Sequence, residues 1–158
     1  MNGMNGGPSA PLHSFFVHGI PQPQGSARAF VRNGKPIITT TNKNLHDWRR
    51  LIADAAQEHA QLHTQAVMVR ATFLLPKPKS APKTKPIFCT KRPDIDKLLR
   101  ALLDSFTGVF YKDDSQVVHV DVQKSYGEER VGVFVEIWAE PEPVPRAPKS
   151  LNVSEAYL

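Results

Sequence analysis

The sequence predicts one α+β domain, a mixed and mostly antiparallel sheet with helices packed on it. Three observations carry that prediction. Hydrophobic spacing switches several times between a period of two and a period near 3.6. Asn33-Gly34 sits between AFVR and KPIITT, a strong two-residue hairpin signal. None of the fourteen prolines falls within 37–75 or 94–140, so those windows hold most of the ordered framework. At 158 residues the chain suits a single domain with a core that needs no staple.

The elements follow in order. Residues 1–13, rich in Gly, Asn, Ser and Pro, read as a flexible arm. SFFVHGI (Ser14–Ile20) reads as a first strand, ended by Pro21 and Pro23. Arg28–Thr41 is the hairpin. A helix capped by Asn42 or Asn44 follows, with Leu45, Trp48, Leu51, Ile52, Ala55, Ala56 and His59 at helical spacing. Ala66–Leu75 is strand-like, and Pro76–Pro93 is a long loop. Ile95–Phe106 carries Leu98, Leu99, Leu102, Leu103 and Phe106 on one helical arc. Val117–Lys124 and Arg130–Trp138 each alternate valines with polar residues, and Gly127 in the turn joins them as an expected C-terminal hairpin. From Glu140 onward the chain reads as a Pro-rich flexible tail. The domain is therefore expected to span 14–139.

Composition excludes several classes. One cysteine, Cys89, leaves no intrachain disulfide and makes a thiolate zinc site an unfavoured reading. No apolar run approaches the ~20 residues of a spanning helix, and MNGMNGGPSAP has neither the basic nor the apolar region of a signal peptide. A soluble, cytoplasmic protein with no membrane partner is expected. The net charge of +5 favours polyanionic partners.

The placement of charge says more than its total. Residues 1–46 and 59–93 contain no Asp or Glu, and the second stretch holds Lys77, Lys79, Lys83, Lys85, Lys91 and Arg92 along its proline-rich loop. Five carboxylates then arrive within 94–114: Asp94, Asp96, Asp104, Asp113 and Asp114. Such a knot calls for neutralisation, and a divalent cation held by a few carboxylate oxygens supplies it. Each Asp also has a structural reading. Asp94 can cap the helix and Asp96 can sit on its dipole. Asp104 can pair with Arg100 or Lys97, and Asp113-Asp114 can belong to a turn. The combination favours a site at the mouth of the 95–106 helix, with the loop after Phe110 expected to bring Asp113-Asp114 back to it. The histidines His13, His18, His46, His59, His63 and His119 are scattered without ligand spacing and read as surface or packing residues.

The segment RPDIDKLLRALLDSFTGVFYKDDSQV (Arg92–Val117) resembles the signature of the RusA-like Holliday-junction resolvases. Its Asp-x-Asp opens a helix, a basic residue follows four positions after the second Asp, and Asp-Asp-x-Gln-Val comes later. GIPQPQGSARAFVRNGKPIITTTNKNLHDWRRLI (Gly19–Ile52) is similar to the N-terminal strand, basic loop, hairpin and Trp-bearing helix of phage-type members. The resemblance covers roughly 14–139. It implies the RusA-like fold, a homodimer, and a magnesium-dependent endonuclease, with manganese as substitute, that nicks four-way or branched DNA symmetrically during recombination and repair. It sets the scene in the cytoplasm of a bacterial cell or phage-infected host. Position by position it implies metal-binding and catalytic roles for Asp94, Asp96 and Asp114, a catalytic cation at Arg100, and a supporting role for Asp113. Two departures stand out. Lys97 replaces an Asn often found after Asp-x-Asp, and Arg100 replaces a Lys. Arginine keeps its charge, suits phosphate clamping and cannot act as a proton-transfer base.

DNA contact is expected from Arg28, Arg32 and Lys35 around the first hairpin and from Lys77, Lys79, Lys83, Lys85, Lys91 and Arg92. Phe88, isolated among these cations, reads either as a wedge at the branch point or as an anchor of the loop to the core. Two rival functions are a non-catalytic module binding branched or single-stranded DNA on the same basic face, and a metal-dependent phosphatase for small esters.

The basic loop yields a measurable expectation. Each lysine that neutralises a phosphate steepens the fall of log affinity with log salt by roughly 0.9. Changing Lys79, Lys83 and Lys85 together to Ala is expected to flatten that slope by up to about 3 units and to weaken all DNA forms. A slope equal to wild type in a salt titration of junction binding makes the loop a solvated linker.

Overall fold

The computed structural model describes residues 10–25, 28–39, 42–140 and 143. Residues 1–9 of the expected arm and nearly all of the expected tail therefore lie outside the described residues. The chain runs β1 (His13–His18), β2 (Arg28–Arg32), β3 (Lys35–Thr39), α1 (Leu45–Gln57), β4 (Val67–Pro76), α2 (Ile95–Phe106), β5 (Val117–Gly127) and β6 (Gly132–Ala139). The main sheet has four strands in the order β1-β6-β4-β5, and β2-β3 form a separate two-stranded sheet. This is the α+β arrangement expected. No described helix is long and apolar enough to cross a membrane.

Periodicity explains the layers. Along β4, Val67, Val69, Ala71, Phe73 and Leu75 are buried while the residues between them are only partly so. Phe15 and Val17 of β1 and Val133, Val135 and Ile137 of β6 join the same core. The helices meet it with Trp48, Ile52 and Ala56 of α1 and Leu98, Leu102 and Phe106 of α2, all essentially without exposure. At the β2-β3 turn Asn33 and Gly34 both take positive φ (52° and 72°), the conformation that makes Asn-Gly a hairpin signal.

The C-terminal hairpin is corrected. β5 does not pair with β6; β4 lies between them, antiparallel to β6 and parallel to β5. The short connection from Gly127 to Gly132 misled the reading, because a handful of residues suggests adjacency. Neighbouring strands are only about 4.8 Å apart, so four extended residues suffice to step over one strand. Burial decides the order. β4 is apolar enough to be central, whereas β5 exposes Val118 and Val120 and takes the edge. β4, α2 and β5 thus form a parallel strand-helix-strand unit.

The histidines are less scattered than their spacing implies. His13 and His63 bring their Nε2 atoms to 2.9 Å, and His59 stacks on Phe15 with ring centroids 5.0 Å apart. His13 also lies 4.9 Å from the ring of Phe110. Their role as packing residues stands; their isolation does not. In the His13–His63 bond one ring donates and the other accepts, so the pair cannot be doubly protonated. Burial first, then the neighbouring His63 and His59, hold the His13 imidazole below its ordinary value of 6.5. The unfolded chain therefore binds this proton more readily than the folded one. Stability should fall as pH drops through 6.5 and level off below the folded value. Melting temperatures measured on the acid side should show a shallower fall for His13→Gln than for wild type.

Candidate functional site

The mouth of α2 is built by three pieces of chain. Asp94 is its N-cap residue, with extended backbone (φ −73°, ψ 142°), and its carbonyl accepts from the Leu98 amide at 3.2 Å. Its carboxylate, however, makes no capping bond among the described residues. One oxygen instead takes Lys97 Nζ at 3.2 Å, with both side chains about half exposed. Asp96, in the first helical turn, is exposed. Capping therefore does not account for the Asp94 side chain, and both carboxylates face outward from a helix end that favours negative charge.

The second piece is the segment before α1. The Gln24 amide donates to the Lys97 carbonyl at 3.0 Å, and its side-chain amide donates to Asp104 Oδ2. This corrects the expected pairing of Asp104: among the described residues neither Arg100 nor Lys97 bridges to it. Lys97 turns to Asp94, and Arg100 is exposed on the flank between them.

The third piece comes from β5, and sequence reading missed it. Lys124 Nζ donates to the carbonyls of Lys91 and Pro93, each at 2.8 Å, and so ties down the backbone entering Asp94. A lone lysine in an alternating strand carries no signal of this; only the parallel β4-β5 register brings it there.

Asp113 and Asp114 lie elsewhere. They precede a 3-10 turn, Asp114–Gln116, in which Asp113 accepts from the Ser115 amide at 2.8 Å and completes a capping box with Gln116. Those bonds from Ser115 hold the Asp113 carboxyl below its ordinary value. Gln116 reaches on to the His63 carbonyl at 2.8 Å and the Gln65 carbonyl at 3.2 Å. Tyr111, buried nearby, donates to the Leu103 carbonyl at 2.7 Å. Its phenol is pushed far up, first by burial and then by Asp114 and Asp104. Asp114 therefore sits by the C-terminal end of α2. The expected return to the helix mouth is corrected: twelve helical residues, roughly 18 Å, separate the two ends. A helix that crosses back between parallel strands must run opposite to them, so its start and the start of β5 lie at opposite ends of the sheet. Accordingly, no three of the described His, Cys, Asp or Glu residues are arranged to hold a metal ion within one chain.

The basic residues divide by exposure. Lys79, Lys83, Lys85, Lys91 and Arg92 are exposed, Lys77 is half-buried, and Arg32 and Lys35 flank the hairpin turn in solvent. The Arg28 backbone belongs to β2, and its side chain lies outside the described residues. Phe88 is 90% exposed, which rules out the anchoring role; Cys89, 7% exposed, is the neighbour that enters the core.

Residues 21–138 match the family described as endodeoxyribonuclease RusA. A Bacillus subtilis (strain 168) protein, named Uncharacterized protein YqaN, is 32% identical over 133 residues, covering 77% of this chain and 93% of that protein.

The Lys124 tie can be tested directly. Lys124→Met removes two charge-assisted hydrogen bonds and is expected to cost about 2 kcal/mol in chemical denaturation. Amide hydrogen exchange should quicken over residues 94–97 more than elsewhere. Lys124→Arg, which keeps the charge, should recover part of both.

Proposed function

The chain belongs to the RusA endodeoxyribonuclease family, and from that membership we propose that it is a cation-dependent endonuclease resolving four-way DNA junctions by paired symmetric nicks. The observation that carries the reading is the pair Asp94 and Asp96, set at a helix mouth with the Asp94 carboxylate free of capping duty. An all-oxygen donor set of this kind fits magnesium, with manganese as substitute, because hard cations take a few carboxylates and keep several waters. When bound, such a cation neutralises phosphate charge and acidifies an attacking water.

The chain's own residues do the rest. Asp94 and Asp96 would supply carboxylate oxygens to hold the cation. Lys97, already paired with Asp94, steadies that carboxylate in place. Arg100, one turn further along α2, clamps the phosphate with a planar fork as charge grows on it. Lys124 keeps the entering backbone from shifting. The exposed lysines of the 77–92 loop meet the DNA backbone without reading sequence. Phe88, standing free among them, is suited to wedging between bases at the branch point.

A single chain leaves Asp114 at the far end of α2, and that supports the homodimer. Two copies set antiparallel along α2 bring Asp114 of the second copy toward Asp94 and Asp96 of the first, and the reverse. The two sites then form together, facing a two-fold junction, and nicks come in symmetric pairs.

Asp96→Asn keeps shape and polarity at the helix start while removing one ligand charge. Cleavage of a synthetic four-way junction in magnesium should fall by about two orders of magnitude or more. Junction binding in a gel shift should persist or tighten, because repulsion of phosphate falls. If the variant nicks at the wild-type rate, the carboxylates are structural and the protein is a binding module.

A further inference from the structure

Beside the α2 mouth lies a cleft of about 640 Å³, open on one side, between the segment Ile20–Gly25 and the two ends of the 76–93 loop. This volume falls within the usual range of small-ligand sites. Its walls are mainly hydrocarbon: Pro21, Pro23, Pro76, Pro78 and Pro93, with the ring of Tyr126. Partial burial and the adjacent Cys89 thiol raise the Tyr126 phenol, so this ring stays neutral. Two side-chain amides of the wall bond within it. Asn42 donates to Gln22 Oε1 at 3.0 Å and to the Pro23 carbonyl at 3.2 Å, and Gln22 donates to the Ile20 carbonyl at 3.3 Å. The rim is cationic, with Lys91, Arg92 and Lys97, and the same lining includes Asp94.

We propose that this cleft receives one unstacked nucleobase, from the nucleotide adjoining the phosphate that is cut. The inference rests on the nuclease reading above and adds to it a second binding site. Charge fixes the orientation of the occupant. The rim attracts phosphates, Asp94 repels them unless a cation intervenes, and the apolar walls accept only a part without charge. A nucleotide has that division built in. A base inside a duplex presents its edge, and its flat face meets proline and tyrosine surfaces only after unstacking. The Asn42 and Gln22 amides bond partly within the wall, so the cleft holds a base mainly by its faces. Junction arms supply such a nucleotide more readily than an intact duplex, since pairing at the branch is already interrupted.

The test uses the full chain and a synthetic four-way junction whose nick position is mapped first in magnesium. 2-Aminopurine is then placed on either side of the cut phosphate and at distant positions, with calcium replacing magnesium. Fluorescence should rise at one flanking position only. Removing the base there should weaken binding by about ten-fold. Ile20→Glu puts a charge on the exposed rim of the apolar wall; it should abolish the fluorescence rise and make the abasic junction bind as well as the intact one. Ile20→Val should retain both effects. Absence of any nick overturns the nuclease reading and this inference with it. Nicking with silent flanking probes, or with no effect of base removal, overturns the cleft alone. A rise that persists in Ile20→Glu overturns it too, because the base then unstacks elsewhere.

Discussion

The parallel pairing of β4 with β5 governs the rest of this molecule. β4 is apolar on its helix-facing side along its whole length, so it is driven to the interior of the sheet with a partner on each side. Once β5 lies parallel to it, the connecting helix must return across the sheet. That one requirement sets Asp94 at one end of α2 and Asp114 at the other. It also brings Lys124 to the backbone that enters α2, because β4 and β5 pair over ten positions from Val67 to Pro76 and the register carries β5 to that end. Position and support of the candidate site are two results of one pairing.

The same geometry divides the labour within the short acidic motif near residue 113. Asp113 and Gln116 satisfy each other's backbone groups, and Gln116 ties the turn to the connection after α1. Those two residues are architecture. Asp114, between them, is exposed and is left to act outward. At the α2 mouth the division is similar: the Asp94 backbone starts the helix, while its side chain remains available. A motif that looks like a list of ligands is part scaffold and part chemistry, and hydrogen bonds separate the two.

What could be read in advance was local. Both helices, the Asn33-Gly34 turn and the burial rhythm of β4 follow from spacing and turn chemistry, and α2 begins and ends at the residues expected. The candidate carboxylates were visible because charge is segregated along the chain. The failures concern relations between distant segments. Gly127 and its neighbours look the same whether the chain turns to an adjacent strand or steps over one. The Gln24–Asp104 bond and the Lys124 tie join residues whose separate patterns are ordinary. His13 and His63 meet because β1 and the connection after α1 converge, and no spacing encodes that.

The pairing of β1 with β6 has a consequence for how the chain matures. His13 lies opposite Ile137, and His18 opposite Gly132, so the first strand has no partner until the last has been made. During synthesis β1 must wait, its apolar Phe15 and Val17 unprotected, while α1, β4, α2 and β5 emerge. Contacts so far apart in sequence are slow to close, and the pause exposes a strand edge to other chains. The exposed interval thus runs from the appearance of β1 to the arrival of β6, nearly the whole length of the domain.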